Sequence, residues 1–125
     1  MKISPAAAGA LAVCLLGGCQ TQADADRTTF IWRYAAWRDE AKRISPSSRT
    51  SDYLALPSFR AIEGMGPAAV PLIQSLLEDG KCERAPDFFL AHAVLGIRGW
   101  SEKELAPEDS SEQALCRRVL ERLGA

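Results

Sequence analysis

Apolar side chains recur at helical spacing along much of this chain, most clearly between Asp26 and Ile44. The apolar stripe of that segment consists of Phe30, Tyr34, Trp37, Ala41 and Ile44. Steps of three and four positions predict one amphipathic helix. Thr28 or Thr29 is the expected N-cap. Because of its Ser-Pro pair, the serine-rich stretch Ser45–Ser51 should end the helix and form a loop.

Four more segments are predicted to be helices. A short second helix should begin at Pro57, which suits a first helical position, and a third should span Ala68–Glu78. A fourth should follow Asp87 as far as Leu95, and because nearly all its side chains are apolar it should be the most enclosed. The last helix should follow the capping-box spacing of Ser110–Gln113. The expected inward-facing residues are Phe59, Ile62, Val70, Leu72, Ile73, Leu76, Leu77, Leu115, Val119, Leu120 and Leu123.

Strand signals are absent from the sequence. No segment alternates with a period of two, and no hairpin dipeptide lies between β-rich segments. The acidic stretch Ser101–Asp109 is expected to be irregular. The chain is therefore predicted to be all-α, with about five helices.

The first nineteen residues have a different character. Lys2 gives a positive start, 6–16 is apolar, and Gly17 and Gly18 precede Cys19. This order is typical of a secretory signal, since a membrane-spanning helix needs roughly 20 apolar residues. The alternative, a buried first helix of a cytosolic protein, is disfavoured by the abrupt polar composition after Cys19. Leu16-Gly17-Gly18-Cys19 also resembles the lipobox of bacterial lipoprotein precursors.

The lipobox resemblance implies where in the cell the protein is located. Residues 1–18 would be removed, and Cys19 would carry a diacylglyceryl thioether and an N-acyl chain such as palmitate. Gln20, where an inner-membrane retention signal would have aspartate, implies the outer membrane with the protein facing the periplasm. Residues 19–27 are polar and predict a tether, and 28–125 predict one helical domain.

Charge and cysteine content narrow the choice of partners. Without Lys2, 14 of the 15 basic residues face 16 acidic ones, so no basic excess indicates nucleic acid binding.

Loss of Cys14 with the signal and acylation of Cys19 would leave Cys82 and Cys116. In an oxidising compartment these two form a candidate disulfide. The alternative is two separate small residues in a helical core.

The middle of the chain resembles one HEAT-type helical hairpin over residues 57–77. In that family a short helix ends in a glycine turn, here Gly64-Met65-Gly66, and a second helix begins with an alanine-valine-proline-leucine run, here Ala69-Val70-Pro71-Leu72. Repeat proteins need about three units to bury a continuous core, and only one copy is evident. The resemblance therefore implies a small HEAT-like domain. A second resemblance, to small uncharacterised bacterial helical proteins, rests on Trp37, the serine-rich loop, Leu56-Pro57-Ser58-Phe59 and 66–73, and it implies no activity.

No catalytic set is evident in the sequence. His92 is the only histidine, and because no second histidine can complete a ligand set, we expect a hydrogen-bonded core residue without metal or cofactor. Nucleophile-elbow, zinc-protease and Walker motifs are absent. Trp32 lies off the apolar stripe and Trp100 follows a glycine, so these two side chains are the candidates for an exposed contact.

Two function hypotheses follow. The first is a non-enzymatic, lipid-anchored protein-interaction module of the cell envelope, either a scaffold or an immunity-type lipoprotein. It would be held in the membrane by Cys19 and would bind an envelope protein that the sequence does not identify. The alternative is a periplasmic ligand-binding or hydrolytic lipoprotein that acts on envelope material, with Trp32 or Trp100 near its cleft.

Overall fold

A computed structural model describes residues 21–45, 48–106 and 111–124. Every regular element in these ranges is helical, which confirms the all-α prediction. The α-helices are α1 (Gln22–Ala41), α2 (Thr50–Leu54), α3 (Pro57–Glu63), α4 (Val70–Asp79), α5 (Ala91–Arg98), α6 (Glu102–Leu105) and α7 (Glu112–Gly124), with 3₁₀ turns at Gly66–Ala69 and Asp87–Leu90. The predicted signal, Cys14 and Cys19 lie outside the described residues.

Helix α1 begins earlier than the sequence pattern predicts. Thr21 is the N-cap, and its hydroxyl accepts the Asp24 N–H at 3.1 Å. Thr28 lies inside the helix and donates to the Asp24 carbonyl, so the prediction of Thr28 or Thr29 as the cap is wrong. The first turns are exposed, and an exposed turn leaves no apolar period to detect. The segment predicted as a tether is therefore helical from Gln22 onward.

The core lies where the inner faces of the helices meet. Helix α5 packs against α3, α4 and α7, which confirms that it is the enclosed helix. Gly96 leaves room for the Glu63 carboxylate of α3, since a Cβ there would lie 2.5 Å from Oε2 and this side chain would have to move. The fully buried larger side chains include Trp37, Phe59, Ile62, Val70, Ile73, Leu77, Leu90, Val94, Leu115 and Val119.

Two short helices were not predicted. Helix α2 occupies the end of the expected serine-rich loop, where the Asp52 carboxylate accepts the Arg49 N–H at 2.9 Å. Helix α6 occupies part of the acidic stretch expected to be irregular, and Leu105 packs against the core. Four or five residues are too few to show a helical period, and tertiary packing rather than propensity stabilises such elements.

The Cys82–Cys116 disulfide joins the loop after α4 to α7. The two Cα atoms are 5.7 Å apart and 34 positions separate them in the sequence. Both residues are buried, at 2% and 0% exposure. The bridge holds the last helix against the core.

The start of α7 differs from the expectation, because the Ser111 hydroxyl accepts the Ala114 N–H. Ser110, the predicted cap, lies outside the described residues.

Replacing Cys82 and Cys116 together by alanine should destabilise the protein by about 3–4 kcal/mol, because the unfolded chain regains the entropy of an open loop of this length. Urea unfolding of the oxidised wild type and the double variant would measure the difference. Reduction with dithiothreitol is the control, since it should weaken the wild type and leave the variant unchanged. Equal stability of the two oxidised proteins would contradict the prediction.

Candidate interaction surface

The outer face of α1 carries the most exposed large hydrophobic side chains of the described residues. Ile31 is 55% exposed and Trp32 is 73% exposed. Trp32 points outward because Phe30, Trp37 and Ala41 are buried on the opposite side of the same helix, and Ile31 lies between the two sides. An exposed aromatic next to an exposed branched side chain is typical of a protein contact rather than of a fully solvated helix face.

An apolar groove adjoins this face and extends toward α4. Its volume is about 680 Å³. The lining residues are Arg27, Phe30, Ile31, Tyr34, Pro71, Leu72, Ser75, Leu76 and Asp79. Pro71 is exposed in the first turn of α4, where the missing N–H costs little. The groove and the outer face therefore share Ile31.

Polar bonds from α1 hold this helix against α2 and α3. Glu40 accepts the Ser58 N–H at 3.2 Å and the Ser58 hydroxyl at 2.5 Å, and thereby caps the start of α3. Arg33 donates to the Ala61 carbonyl at 2.8 Å. The indole N–H of Trp37 donates to the Tyr53 carbonyl at 3.1 Å. These bonds leave the outer face of α1 as the side available for contact.

A second, smaller pocket of about 240 Å³ lies near the end of α1. Its lining residues are Arg38, Ala41, Lys42, Tyr53, Ala85, Pro86 and Phe89. The Tyr53 and Phe89 rings lie 4.8 Å apart between their centroids. Two aromatic rings and two cationic side chains suit a small anion with an apolar part.

A partly buried chain of polar side chains connects this pocket to the core. Arg38 donates to the Tyr34 hydroxyl at 3.1 Å, and Tyr34 donates to Asp87 Oδ1 at 2.8 Å. Asp87 is 2% exposed, and its Oδ2 has no hydrogen-bond partner in the part of the chain described. Burial, together with the hydrogen bond to Asp87, raises the pKa of Tyr34, although the bond from Arg38 works in the opposite direction.

The two tryptophans predicted to be exposed differ in their exposure to solvent. Trp32 is exposed, whereas Trp100 is half-buried and packs against the core. The Arg122 guanidinium lies 4.7 Å from the centroid of the Trp100 ring and covers one of its faces by a cation–π contact. The structure therefore brings Trp32 and not Trp100 to the interaction surface, and the two side chains belong to different surfaces.

The remaining predicted residues lie away from this surface. Cys82 and Cys116 are buried in the core, and Cys19 lies outside the described residues. His92 makes the predicted hydrogen bond, and its Nε2 lies 2.6 Å from Glu112 Oε1, but it is partly buried and not the core residue expected. Glu112 could not be predicted as the partner of His92 because twenty positions separate the two residues.

No protein-family model, curated protein or solved structure matches this chain. Among the helices in the described ranges, none combines the length and apolarity that crossing a membrane requires.

Replacing Tyr34 by phenylalanine should destabilise the protein by about 1–3 kcal/mol at pH 7, because the buried Asp87 carboxylate loses a hydrogen bond. The folded-state pKa of Tyr34 is raised, so its contribution is fully present below about pH 10 and is lost as pH rises through the folded-state pKa. The difference between wild type and variant should therefore shrink above pH 10.

Urea unfolding at pH 7 and at alkaline pH would measure both effects. Tyr53→Phe is the matched control, and at pH 7 we expect less than about 0.5 kcal/mol from it, the range of ordinary surface substitutions. Equal losses from the two variants at pH 7 would show that the bond to Asp87 contributes nothing.

Proposed function

We propose that this chain is a non-enzymatic, lipid-anchored protein of the bacterial cell envelope that binds a protein partner through the outer face of α1. The observation that carries the proposal is the exposure of Ile31, which lines the apolar groove, together with that of its neighbour Trp32 on the outer face. Large exposed apolar side chains next to a concave surface are typical of interaction sites. An aromatic anchor of this kind often supplies most of the binding free energy.

The lipid anchor is supported by the sequence around Cys19. The positive start, short apolar run and small residues before this cysteine match a lipoprotein signal. Two or more acyl chains give stable membrane attachment, whereas one chain gives marginal attachment. The disulfide is compatible with an oxidising compartment. Gln20 stands where an inner-membrane retention signal would have aspartate. By this analogy we assign the anchor to the outer membrane and the helical domain to the periplasm.

The partner that best suits the groove is an amphipathic helix of another envelope protein. Apolar side chains form most of the groove, and helices commonly place an apolar face into such grooves. Arg27 and Asp79 also line it, so the partner helix should present an acidic and a basic side chain at its edges. The HEAT-like pattern of residues 57–77 agrees with a module that presents rigid helical faces to proteins. A scaffold and an immunity-type lipoprotein would both use such a surface.

A second candidate function is ligand binding by the smaller pocket. Tyr53 and Phe89 provide apolar surface there, and Arg38 and Lys42 provide positive charge. These side chains favour a small anionic fragment of envelope material. A hydrolytic version would require a catalytic set in addition, so we place binding ahead of hydrolysis. A 240 Å³ pocket takes only a small ligand.

Replacing Cys19 by serine should abolish lipid labelling and leave an uncleaved precursor, because only a thiol can form the thioether. Labelling cells with a radioactive or clickable fatty acid, followed by electrophoresis, would measure both effects. Cys14→Ser is the matched control, since Cys14 would leave with the signal and its replacement should leave labelling unchanged. A Cys19→Ser protein that still matured and stayed membrane-bound would contradict the anchor.

A photoreactive amino acid at position 32 or 72 should crosslink the lipidated protein to one and the same protein species in cells. These positions lie on the outer face and on the groove wall, so one partner helix should contact both. Position 117, which is exposed on α7, is the control and should give no such product. Mass spectrometry of the crosslinked peptide should identify an amphipathic helix.

Replacing the exposed Ile31 by aspartate should remove the crosslinked product, because it would place an unpaired carboxylate in the apolar contact. The protein should remain folded. Circular dichroism would verify folding. Equal crosslinking from position 117, or products that contain only lipid or a second copy of this chain, would overturn the proposed docking surface.

A further inference from the structure

We propose that His92, Glu102 and Glu112 form a binding site for a divalent transition-metal ion. The three residues come from three consecutive helices, α5, α6 and α7. One ligand atom from each, the imidazole nitrogen and two carboxylate oxygens, lies within 4.8 Å of both others. This cluster is separate from the groove and from the smaller pocket, and it has no part in the proposed protein contact.

The spacing suits a single ion. Zinc binds imidazole nitrogen and carboxylate oxygen at about 2.0–2.2 Å, which places ligand atoms in a tetrahedral site roughly 3.3 Å apart. His92 Nε2 and Glu112 Oε1 are 2.6 Å apart and therefore need to separate slightly. Glu102 is exposed on a four-residue helix, so its side chain can move inward. Small side-chain rotations would bring all three ligands to bonding distance.

The charge of the cluster also suits a dication. The two carboxylates of Glu102 and Glu112 bring negative charge to the cluster, which an ion such as Zn²⁺ would neutralise. One nitrogen and two oxygen ligands favour a borderline ion over the all-oxygen sites that Ca²⁺ and Mg²⁺ prefer. Three protein ligands leave a fourth position for water, which is the arrangement of open zinc sites.

Thr50 provides an outer contact that orients one ligand. Its hydroxyl donates to Glu112 Oε2 at 3.1 Å, while Glu112 Oε1 faces His92. Metal-binding carboxylates are commonly held by such bonds, and their loss lowers metal affinity by about 10- to 100-fold. The side chains of His92 and Glu112 are 13% and 27% exposed. The site is therefore enclosed on the side of α5 and α7 and accessible from the side of α6.

Metal binding would tie α6 to the core. Helix α6 contains only four residues, and no residue of it is fully buried. A ligand from α6 that joined ligands from α5 and α7 would cross-link these elements, in addition to the disulfide that holds α7. A hydrogen bond between His92 and Glu112 without a metal ion would leave α6 without this cross-link. The effect of replacing Glu102 therefore distinguishes a metal site from a simple hydrogen bond.

Isothermal titration of the full chain with ZnCl₂ tests the proposal, with the thiols of Cys14 and Cys19 alkylated beforehand so that they cannot bind the ion. We expect one Zn²⁺ per chain. His92→Gln should weaken binding by more than about 100-fold, since a ligand contributes more than an outer contact. Glu102→Gln should weaken binding at least about tenfold, and Thr50→Val should also weaken it about tenfold.

Glu104→Gln is the matched control, because Glu104 is exposed on the same short helix and is not among the three ligands. It should bind Zn²⁺ as the wild type does. Glu102 and Glu104 are both exposed, so both variants should fold, and their comparison decides the question even if His92→Gln unfolds. Zn²⁺ should raise the melting temperature of the wild type and of Glu104→Gln, and should raise that of Glu102→Gln less.

Three results would overturn the proposed site. The first is a wild type that binds no Zn²⁺ in the titration. The second is equal affinity of Glu102→Gln and Glu104→Gln, which would place the ion elsewhere. Mg²⁺ titrated in place of Zn²⁺ should give no comparable binding, and equal affinity for the two ions would contradict a site for a transition metal.

Discussion

Burial of the Trp37 indole between α1 and α3 determines which side of α1 is available for contact. The indole is fully buried, lies 5.9 Å from the Phe59 ring and donates its N–H to the Tyr53 carbonyl. A buried tryptophan removes a large apolar area from water, and truncating one typically costs 3–5 kcal/mol. Five positions separate Trp37 from Trp32, so the two side chains lie about 140° apart around the helix. Since one points into the core, the other must face outward.

The interface between α1 and α3 also stabilises α3, which is too short to be stable alone. Helix α3 has seven residues, fewer than the roughly 12 that an isolated helix needs in water. Helix α1 compensates by contacts along the length of α3. Glu40 accepts the N–H of Ser58 at its first turn, and Arg33 donates to the Ala61 carbonyl near its end. Charged side chains of α1 therefore satisfy backbone groups that would otherwise lack partners, while the apolar stripe excludes water between the helices.

Four of the five longer helices were predictable because each has an apolar face with a helical period, and α5 was predictable because it is apolar almost throughout. The two short helices, the early start of α1 and the Ser111 cap depend on single polar contacts and on packing, which leave no period in the sequence. The interaction surface was partly predictable, since Trp32 lies off the apolar stripe, whereas Ile31 and the groove wall from α4 were not identified. Glu102 and Glu112 were not connected to His92, because carboxylates from separate helices meet only in the folded chain.

Position along the chain connects the proposed anchor to the proposed contact. Helix α1 begins at Gln22, three residues after Cys19, and three extended residues span at most about 11 Å. Trp32 lies ten residues farther along the helix, which is roughly 15 Å at 1.5 Å per residue. If Cys19 is acylated, the outer face therefore lies within roughly 26 Å of the acyl attachment point. A partner that reaches this face must itself work close to the membrane surface, so anchoring would select among envelope proteins before any side-chain contact is made.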